Sequence, residues 1–411
     1  MTIDGSIDHS LRFGGPLPPR FSPLDPAVQH DPYPTYARLR REAPICRGGP
    51  GQWVVSRHRD VAPLLRSRAL GQQFPEEYHR FAAGSGPAGE LFGRIVLYRD
   101  PPDHTRLRRL MGQILHPSRL HEITPRLSNL VDCVLDPAFE RRHVDAASDL
   151  AHSLPVLVIC ELMGIPLSES ESIQDYAIDL GRAFGTHVPA DDRRRADVAV
   201  EWLRAYIGQL LELRARRPGE DFLSEVAAAH RGAEVRRELI DNLVFLFFAG
   251  FETTKNLIAT GCAALLDHPD ELCKLRRNPD LMSTAIDEFL RFDAPIQGVA
   301  RMVKEPLQVA GRSIRPGRVL VLLLGSANRD PDVFVEPDTL DVSRTPNPHL
   351  SFGGGVHFCL GAPLARLEAS LFFHRVLERS SSIDRGPAAP VREPNSRFRA
   401  YASVPISLHA A

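Results

Sequence analysis

Residues Ser351 to Gly361 read Ser-Phe-Gly-Gly-Gly-Val-His-Phe-Cys-Leu-Gly, and Ala362-Pro-Leu-Ala-Arg-Leu-Glu368 follows with the composition of a helix start. The glycines at 353, 354, 355 and 361 let the backbone turn tightly and approach a flat ligand where a Cβ would clash. Pro363 sits where a first-turn proline is tolerated, so a helix is expected to begin just past the sulfur. Its open N–H groups and positive dipole end favour an anion, which predicts a lowered pKa for Cys359. Cys359 is therefore a candidate metal ligand. The plainer alternative for one cysteine in a globular chain is a small buried hydrophobe.

The rest of the composition narrows the setting. The 411 residues are 43% hydrophobic and 25% charged with a formal net charge of −1, so nothing draws the whole chain to nucleic acid or to a membrane surface. Cysteines at 46, 133, 160, 262, 273 and 359 form no C-x-x-C pair, which argues against a zinc module or a disulfide framework and for a reducing cytoplasm. The N-terminal residues lack a basic start and an apolar run, and Leu243 to Phe251, the longest apolar stretch, is too short to span a bilayer, so no secretory signal or membrane anchor is expected.

Residues 1–25 are rich in Gly and Pro and read as a flexible arm, with 26–411 as one domain. Helical periodicity is expected over 103–115, 122–142, 147–163, 169–183, 191–216, 234–266, 279–292 and 361–379. Alternation typical of strands is confined to Gln52–Ser56, to 296–324 and to the C-terminal end. Residues 69–100 carry no sustained period and are broken by Gly84, Gly86, Pro87, Gly89 and Gly93, so they read as a long loop. The fold class is mainly α with a minor β portion.

Three further patterns carry chemistry. Ala249-Gly-Phe-Glu-Thr-Thr254 lies inside the long apolar helix, where a glycine costs about 1 kcal/mol against alanine and so needs a reason. Close helix packing at Gly250 with Glu252 merely exposed is one; a functional site is the other. Thr253 can bond back to the preceding turn, and a hydroxyl beside a carboxylate is a fitting proton-donor chain. Glu288-Phe-Leu-Arg291 is an i,i+3 ion pair of a common kind. His104 and Arg108 share one helix face, and with Arg301 and His357 they make a cationic set suited to carboxylates, although each alone could be a solvated surface charge.

Together these resemble the cytochrome P450 family. The loop matches all six fixed positions of its Phe-Gly-x-Gly-x-His-x-Cys-x-Gly pattern, at Phe352, Gly353, Gly355, His357, Cys359 and Gly361. Phe334 to Arg344 is similar to the family's meander, and the likeness runs from about residue 30 to the end. The resemblance implies a P450 fold with haem b between the central helix and the cysteine-loop helix, and Cys359 as the axial thiolate that favours O–O cleavage. It implies that Gly250, with Ala249, makes room for O2, that Glu252 and Thr253 deliver protons, and that His104, Arg108, Arg301 and His357 hold the propionates. Glu288, Arg291 and Arg344 would be structural. The substrate pocket would take in Phe92, Ile95, Val96, Leu97, Phe184, Phe245, Ala249, Ile296, Val299 and Ala402, with Phe184 to Val188 as a lid tip.

The expected activity is a haem-thiolate monooxygenase placing one oxygen atom of O2 in a small organic substrate, as in tailoring a bacterial natural product. Oxidative coupling or desaturation on the same haem is an alternative. Electrons would come from NAD(P)H through a ferredoxin reductase and a ferredoxin docked on Arg66, Arg68, Arg106, Arg109 and Arg119. Arg193-Arg194-Arg195 is a solvated face or a contact for an anionic carrier of the substrate. A haemless auxiliary protein and a haem sensor without oxygen activation are rivals; Cys359 counts against the first and the Glu252–Thr253 pair against the second.

Overall fold

The helix Ala233–Asp267 is apolar on nearly every side, with Leu243, Val244, Phe247, Phe251, Leu257 and Ile258 all buried, and such a helix must be enclosed by others. In the computed structural model, which describes residues 20–184, 188–219, 221–229, 233–393 and 398–411, five helices enclose it. They are Leu154–Met163, Ser170–Arg182, Ala190–Arg216, Met282–Phe292 and Ala362–Arg379. The helix Pro117–Arg141 packs outside them, against Leu154–Met163 and Ala362–Arg379.

A five-stranded sheet flanks this assembly. Gln52–Val55 pairs antiparallel with Ile45–Arg47 and parallel with Val319–Leu322, which pairs antiparallel with Val299–Val303, and that strand with Leu70–Gly71. The C-terminal strand Pro405–Ala410 lies between His143–Asp145 and Ser380–Arg385.

All eight expected helices are present, and three differ in instructive ways. Pro155 stands in the first turn of Leu154–Met163, where it cannot donate to a preceding turn, so the expected 147–163 run splits into a π turn at Ala146–Ala151 and an α-helix from Leu154. Asp145 caps the first piece by accepting from the N–H groups of Ala147 and Ser148. Pro117–Arg141 starts a turn before its expected position, and the 103–115 helix closes at Gly112. Ala146–Met163 is long and apolar enough to cross a membrane by composition, yet 67% of that stretch is buried inside the protein, as befits a core helix.

The expectation of a loop over 69–100 is corrected. That segment holds a strand at Leu70–Gly71, helices at Glu76–Ala83 and Pro87–Phe92, and a 3-10 turn at Val96–Tyr98. Each helix spans at most eight residues, too few for a period to show. The glycines that broke the pattern mark the joints: Gly84 ends one helix at φ +90°, and Pro87 opens the next. The segment is clamped by side chains. Asp197 accepts from the Ala88 N–H at 2.9 Å, and Asn242 of the central helix accepts from the Val96 N–H at 2.7 Å while donating to the Arg94 carbonyl.

Of the arm expected over 1–25, residues 1–19 lie outside the described residues; from Arg20 the chain is tied down, with Phe21 buried and its N–H donating to the Arg47 carbonyl. Of the expected lid tip, Gly185, Thr186 and His187 also lie outside them.

Asp293 draws three distant parts of the chain together. It accepts from the Tyr33 hydroxyl at 2.8 Å, from Arg392 at 2.6 Å and from Arg399 at 3.2 Å, and Arg399 also donates to the His30 carbonyl. Burial alone would raise its pKa, but Arg392, Arg399 and the Tyr33 hydroxyl outweigh it and hold it at about 2. A carboxyl depressed in the folded state contributes stability above its unfolded value near 4, and that contribution fades as pH falls through about 2. Denaturant titrations at pH 7 and at pH 3 should therefore show the gap between Asp293→Asn and the parent narrowing at the acid pH; an equal gap at both would mean the pair network does not stabilise the fold through charge.

Candidate functional site

The loop before Cys359 is shaped by two glycines in the left-handed region, Gly353 at φ +70° and Gly355 at φ +68°. A Cβ on Gly355 would lie 2.6 Å from the Leu65 carbonyl oxygen and 3.0 Å from the Arg66 Cα, so glycine is needed there both for its dihedral and for its space. The Cys359 N–H donates to the Phe352 carbonyl at 2.9 Å, closing the loop under the sulfur. The helix Ala362–Arg379 then begins with Pro363 in its first turn, as expected.

The sulfur does not have the lowered pKa that the helix start suggested. Protein packed around it pushes the thiol up, although one side is open to the cleft and the residue counts as exposed. The Gly361 N–H, Arg108, the Ala362 N–H and Arg366 all pull the pKa down, which is the expected sign, but burial outweighs them in the protein alone.

Behind the loop lies a buried ion network. Arg291 donates to both Glu288 oxygens, at 2.7 and 2.8 Å, and Arg344 donates to both at 3.1 Å. Glu288 and Arg291 have 0% exposed side chains. Arg291 also donates to the carbonyls of Asn328, Pro337 and Thr339, and the Asp341 N–H donates to Glu288. Asn328 passes this order to the cysteine loop: its side chain accepts from the Leu350 N–H at 2.7 Å and donates to the Ser351 hydroxyl at 2.8 Å. Sequence reasoning missed Asn328, since a lone Asn after a short helical turn carries no pattern.

On one side of the cleft the cationic set assembles. His104 and Arg301 are buried, 2% and 3% exposed, and the His104 and His357 rings lie 4.3 Å apart. Among the described residues His104 Nδ1 has no hydrogen-bond partner, and Arg301 has the Ala300 carbonyl, besides Gln72 in its amide orientation that satisfies both ends. Burial, then His357 and Arg108, lower the His104 pKa to about 4, and burial lowers Arg301 to about 10 despite Asp100. Asp100 is the carboxylate in the group: it lies 3.5 Å from His357 and accepts from the Gln72 N–H. Gln72 and Asp100 were not foreseen, because they come from the segment read as a loop. Buried donors in excess of acceptors are what an incoming pair of carboxylates would satisfy.

The central helix brings Thr253 and Glu252 to the other side. The Thr253 hydroxyl donates to the Ala249 carbonyl at 2.9 Å, the back-bond expected, and Glu252 pairs with Lys255 at 3.3 Å. At Gly250 the packing alternative has a counterpart in the structure: a Cβ there would meet Ile159 Cδ1 at 2.8 Å, so the missing side chain lets Leu154–Met163 pack closely against the central helix.

Among the pocket residues, Phe92, Phe184, Phe245 and Ile296 lie in one connected apolar cluster, with Val299 on the sheet side of Ile296. Val96 and Leu97 are half-buried in their 3-10 turn. Ile95 is fully buried core. Ala402 is corrected: it alternates with the half-buried Tyr401 in the strand Tyr401–Ser403 of a two-stranded sheet and is exposed, and Phe398, bridged to Ile296, carries the C-terminal turn inward instead. Of the five proposed docking arginines, Arg106 and Arg119 are each spent on a carboxylate, Glu238 and Glu225, whereas Arg66 packs on Gly354 and Gly355.

A mainly helical protein whose cysteine loop faces a cleft of underused buried cations is built to hold an anionic planar cofactor on a thiolate. The family model described as Cytochrome P450 matches residues 212–385. The chain is 37% identical over 374 residues to Nocardicin C N-oxygenase of Nocardia uniformis subsp. tsuyamanensis, 88% of this chain and 91% of that one. Its fold is similar to the crystal structure of CalO2, with a TM-score of 0.89, 34% identity and coverage of 95% and 98%. It is also similar to P450BioI solved with an acyl carrier protein bearing hexadec-9Z-enoic acid, with a TM-score of 0.87, 32% identity and coverage of 93% and 100%. The chain belongs to the cytochrome P450 family, and it is a monooxygenase. The family implies haem bound through a cysteine thiolate, with O2 as co-substrate.

Gly355 and Gly317 make a paired test of the loop. Both have left-handed backbones, at +68° and +79°, but nothing lies within 4 Å of a Cβ on Gly317. Gly317→Ala should cost about 1 kcal/mol in a urea titration, the conformational penalty alone. Gly355→Ala should cost clearly more, and equal costs would show that the Leu65 carbonyl yields.

Proposed function

We propose that Cys359 would hold haem b through its sulfur and that the chain inserts one oxygen atom into an unactivated C–H or C=C bond of a small organic substrate. The observation that carries this is the Cys359 loop: a sulfur facing a cleft beside buried donors that lack acceptors. Phe352, Gly353 and Gly361 shape the approach to the cofactor, and His104, Arg108, Arg301 and His357 hold its two propionates. Bound there, haem would supply the chemistry of reductive dioxygen activation.

The central helix supplies protons. Thr253 donates its hydroxyl to the Ala249 carbonyl, which leaves the oxygen lone pairs turned to the cleft and able to fix a water. Glu252 stands next to it, ion-paired with Lys255 and largely shielded, and would pass protons inward from solvent. Glu288, Arg291 and Arg344 touch none of the reacting atoms and fix the loop.

Electrons come from NAD(P)H through a ferredoxin reductase and a ferredoxin. Support comes from the cysteine-loop surface, where Val356 and Phe358 are 56% and 41% exposed next to Arg66, a small apolar patch with an adjoining cation of the kind protein partners use. The six cysteines are free, as in a reducing cytoplasm. A natural-product tailoring role is supported by the likeness to Nocardicin C N-oxygenase. For the substrate, a free molecule is favoured over a carrier-bound one. Arg194 pairs with Asp191 and Arg195 with Asp179, so two of the three arginines are already partnered where an acidic carrier would need them.

The test is the absorption spectrum of the dithionite-reduced protein with carbon monoxide, beside Cys359→Ser. A strongly red-shifted Soret band that the variant loses supports the assignment; protein without haem would favour the auxiliary-protein reading. Thr253→Ala should keep the band while product per NAD(P)H falls by about tenfold or more and peroxide rises. Unchanged coupling would remove Thr253 from proton delivery.

A further inference from the structure

Phe245, Ala249 and Thr253 stand four residues apart, on one face of the central helix. All three keep accessible surface although five helices pack around that element, so this face borders a cavity. What walls the cavity beyond Thr253 is unusual in composition. Phe245 lies 6.0 Å from Phe184, which stacks on Phe248 at 4.1 Å and 17° and meets Phe92 at 4.4 Å. Phe92 continues to Tyr98 at 5.5 Å and His79 at 6.2 Å, and on the far side Phe248 reaches Phe398 at 6.0 Å. The rings come from four separate stretches of chain and form one continuous paved surface. Phe184, Phe245 and Tyr98 are half-buried and keep ring surface open, while Phe92, His79, Phe248 and Phe398 are buried behind them and hold those rings in place.

We infer that the substrate of this site carries a planar aromatic or fully conjugated ring system that lies against the Phe245–Phe184–Phe92 wall. This rests on the monooxygenase reading above and names its substrate class. Aromatic pairs gain from offset and edge-on geometry beyond what area burial gives, and a flat rigid guest adds to such a wall as one more tile. A flexible acyl chain of equal size gains only the area and loses rotamer freedom on binding. Ala249 on the same helix face, and Ile296 and Val299 from the sheet side, are small or aliphatic and carry no charge, so the ring is neutral.

The experiment is a binding comparison on the haem-loaded protein, after its carbon monoxide spectrum has been recorded. Anthracene-9-methanol and a straight-chain alcohol of the same carbon number are titrated, read by the Soret shift and by equilibrium dialysis, which needs no spectral response. The tricyclic alcohol should bind at least about tenfold tighter, and Phe245→Leu and Phe184→Leu should each weaken it by about fivefold to tenfold while changing the chain alcohol less than twofold. Equal or tighter binding of the chain alcohol, or equal losses for both ligands in the variants, would overturn the substrate class. With a normal thiolate spectrum that result leaves the monooxygenase reading standing; loss of the thiolate band strikes that reading instead, and the dialysis comparison still decides the substrate class.

Discussion

The Glu288 carboxylate is the constraint on which the site depends. A buried carboxylate with two guanidiniums has paid a desolvation cost that hydrophobic residues of the same shape would avoid, and breaking such a group by removing one partner costs about 3–5 kcal/mol. Its geometry is what the fold uses. Arg291 spends its remaining N–H groups on the carbonyls of Asn328, Pro337 and Thr339, and Arg344 adds the Val335 carbonyl, so an irregular segment without helix or strand is fixed by charged donors at 2.7–3.1 Å. Asn328 then carries that position to Leu350 and Ser351 at the start of the cysteine loop. Without this chain of bonds the loop would have only its own turns to set the sulfur.

The same sulfur faces a group of cations that the protein alone leaves poorly matched. His104, Arg108, Arg301 and His357 converge near one carboxylate, Asp100, and burial disfavours charge on each of the four. In isolation this is a local conflict of the kind that folded proteins keep only where function requires it. Two carboxylates arriving with a cofactor would relieve it, giving an acceptor to the unpartnered His104 Nδ1 and sharing the load that Asp100 carries for His357. Cofactor binding and site stability are then linked, since whatever binds only the folded state stabilises it.

Legibility followed element length and directness of chemistry. The long helices announced themselves because a sustained period over two or more turns has few competing readings, and the cysteine loop did so because its glycines answer a specific steric demand, shown at Gly355 by the Leu65 carbonyl. The Glu288–Arg291 pair was visible, but not that it would be fully buried, since an i,i+3 pair on a helix is ordinarily solvated. The 69–100 segment was opaque because its helices are too short for periodicity and are held by partners far away, Asp197 and Asn242, that no local pattern reveals. Gln72 and Asp100 were hidden with it. The arginine run at 193–195 read as a solvated face or a carrier contact, and its pairing could not be read locally: Asp191 meets Arg194 from within the same helix, but Asp179 reaches Arg195 from the preceding one.

Gly250 shows how a residue can stand in a functional motif for a structural reason. Its missing Cβ admits Ile159, which brings Leu154–Met163 close against the central helix two residues before Glu252. On another face of the same helix Thr253 and Phe245 stand about two turns apart, both half-buried, a hydroxyl at one end and a ring at the other. A helix face graded in this way from polar to aromatic can order water at its hydroxyl and exclude it along its ring.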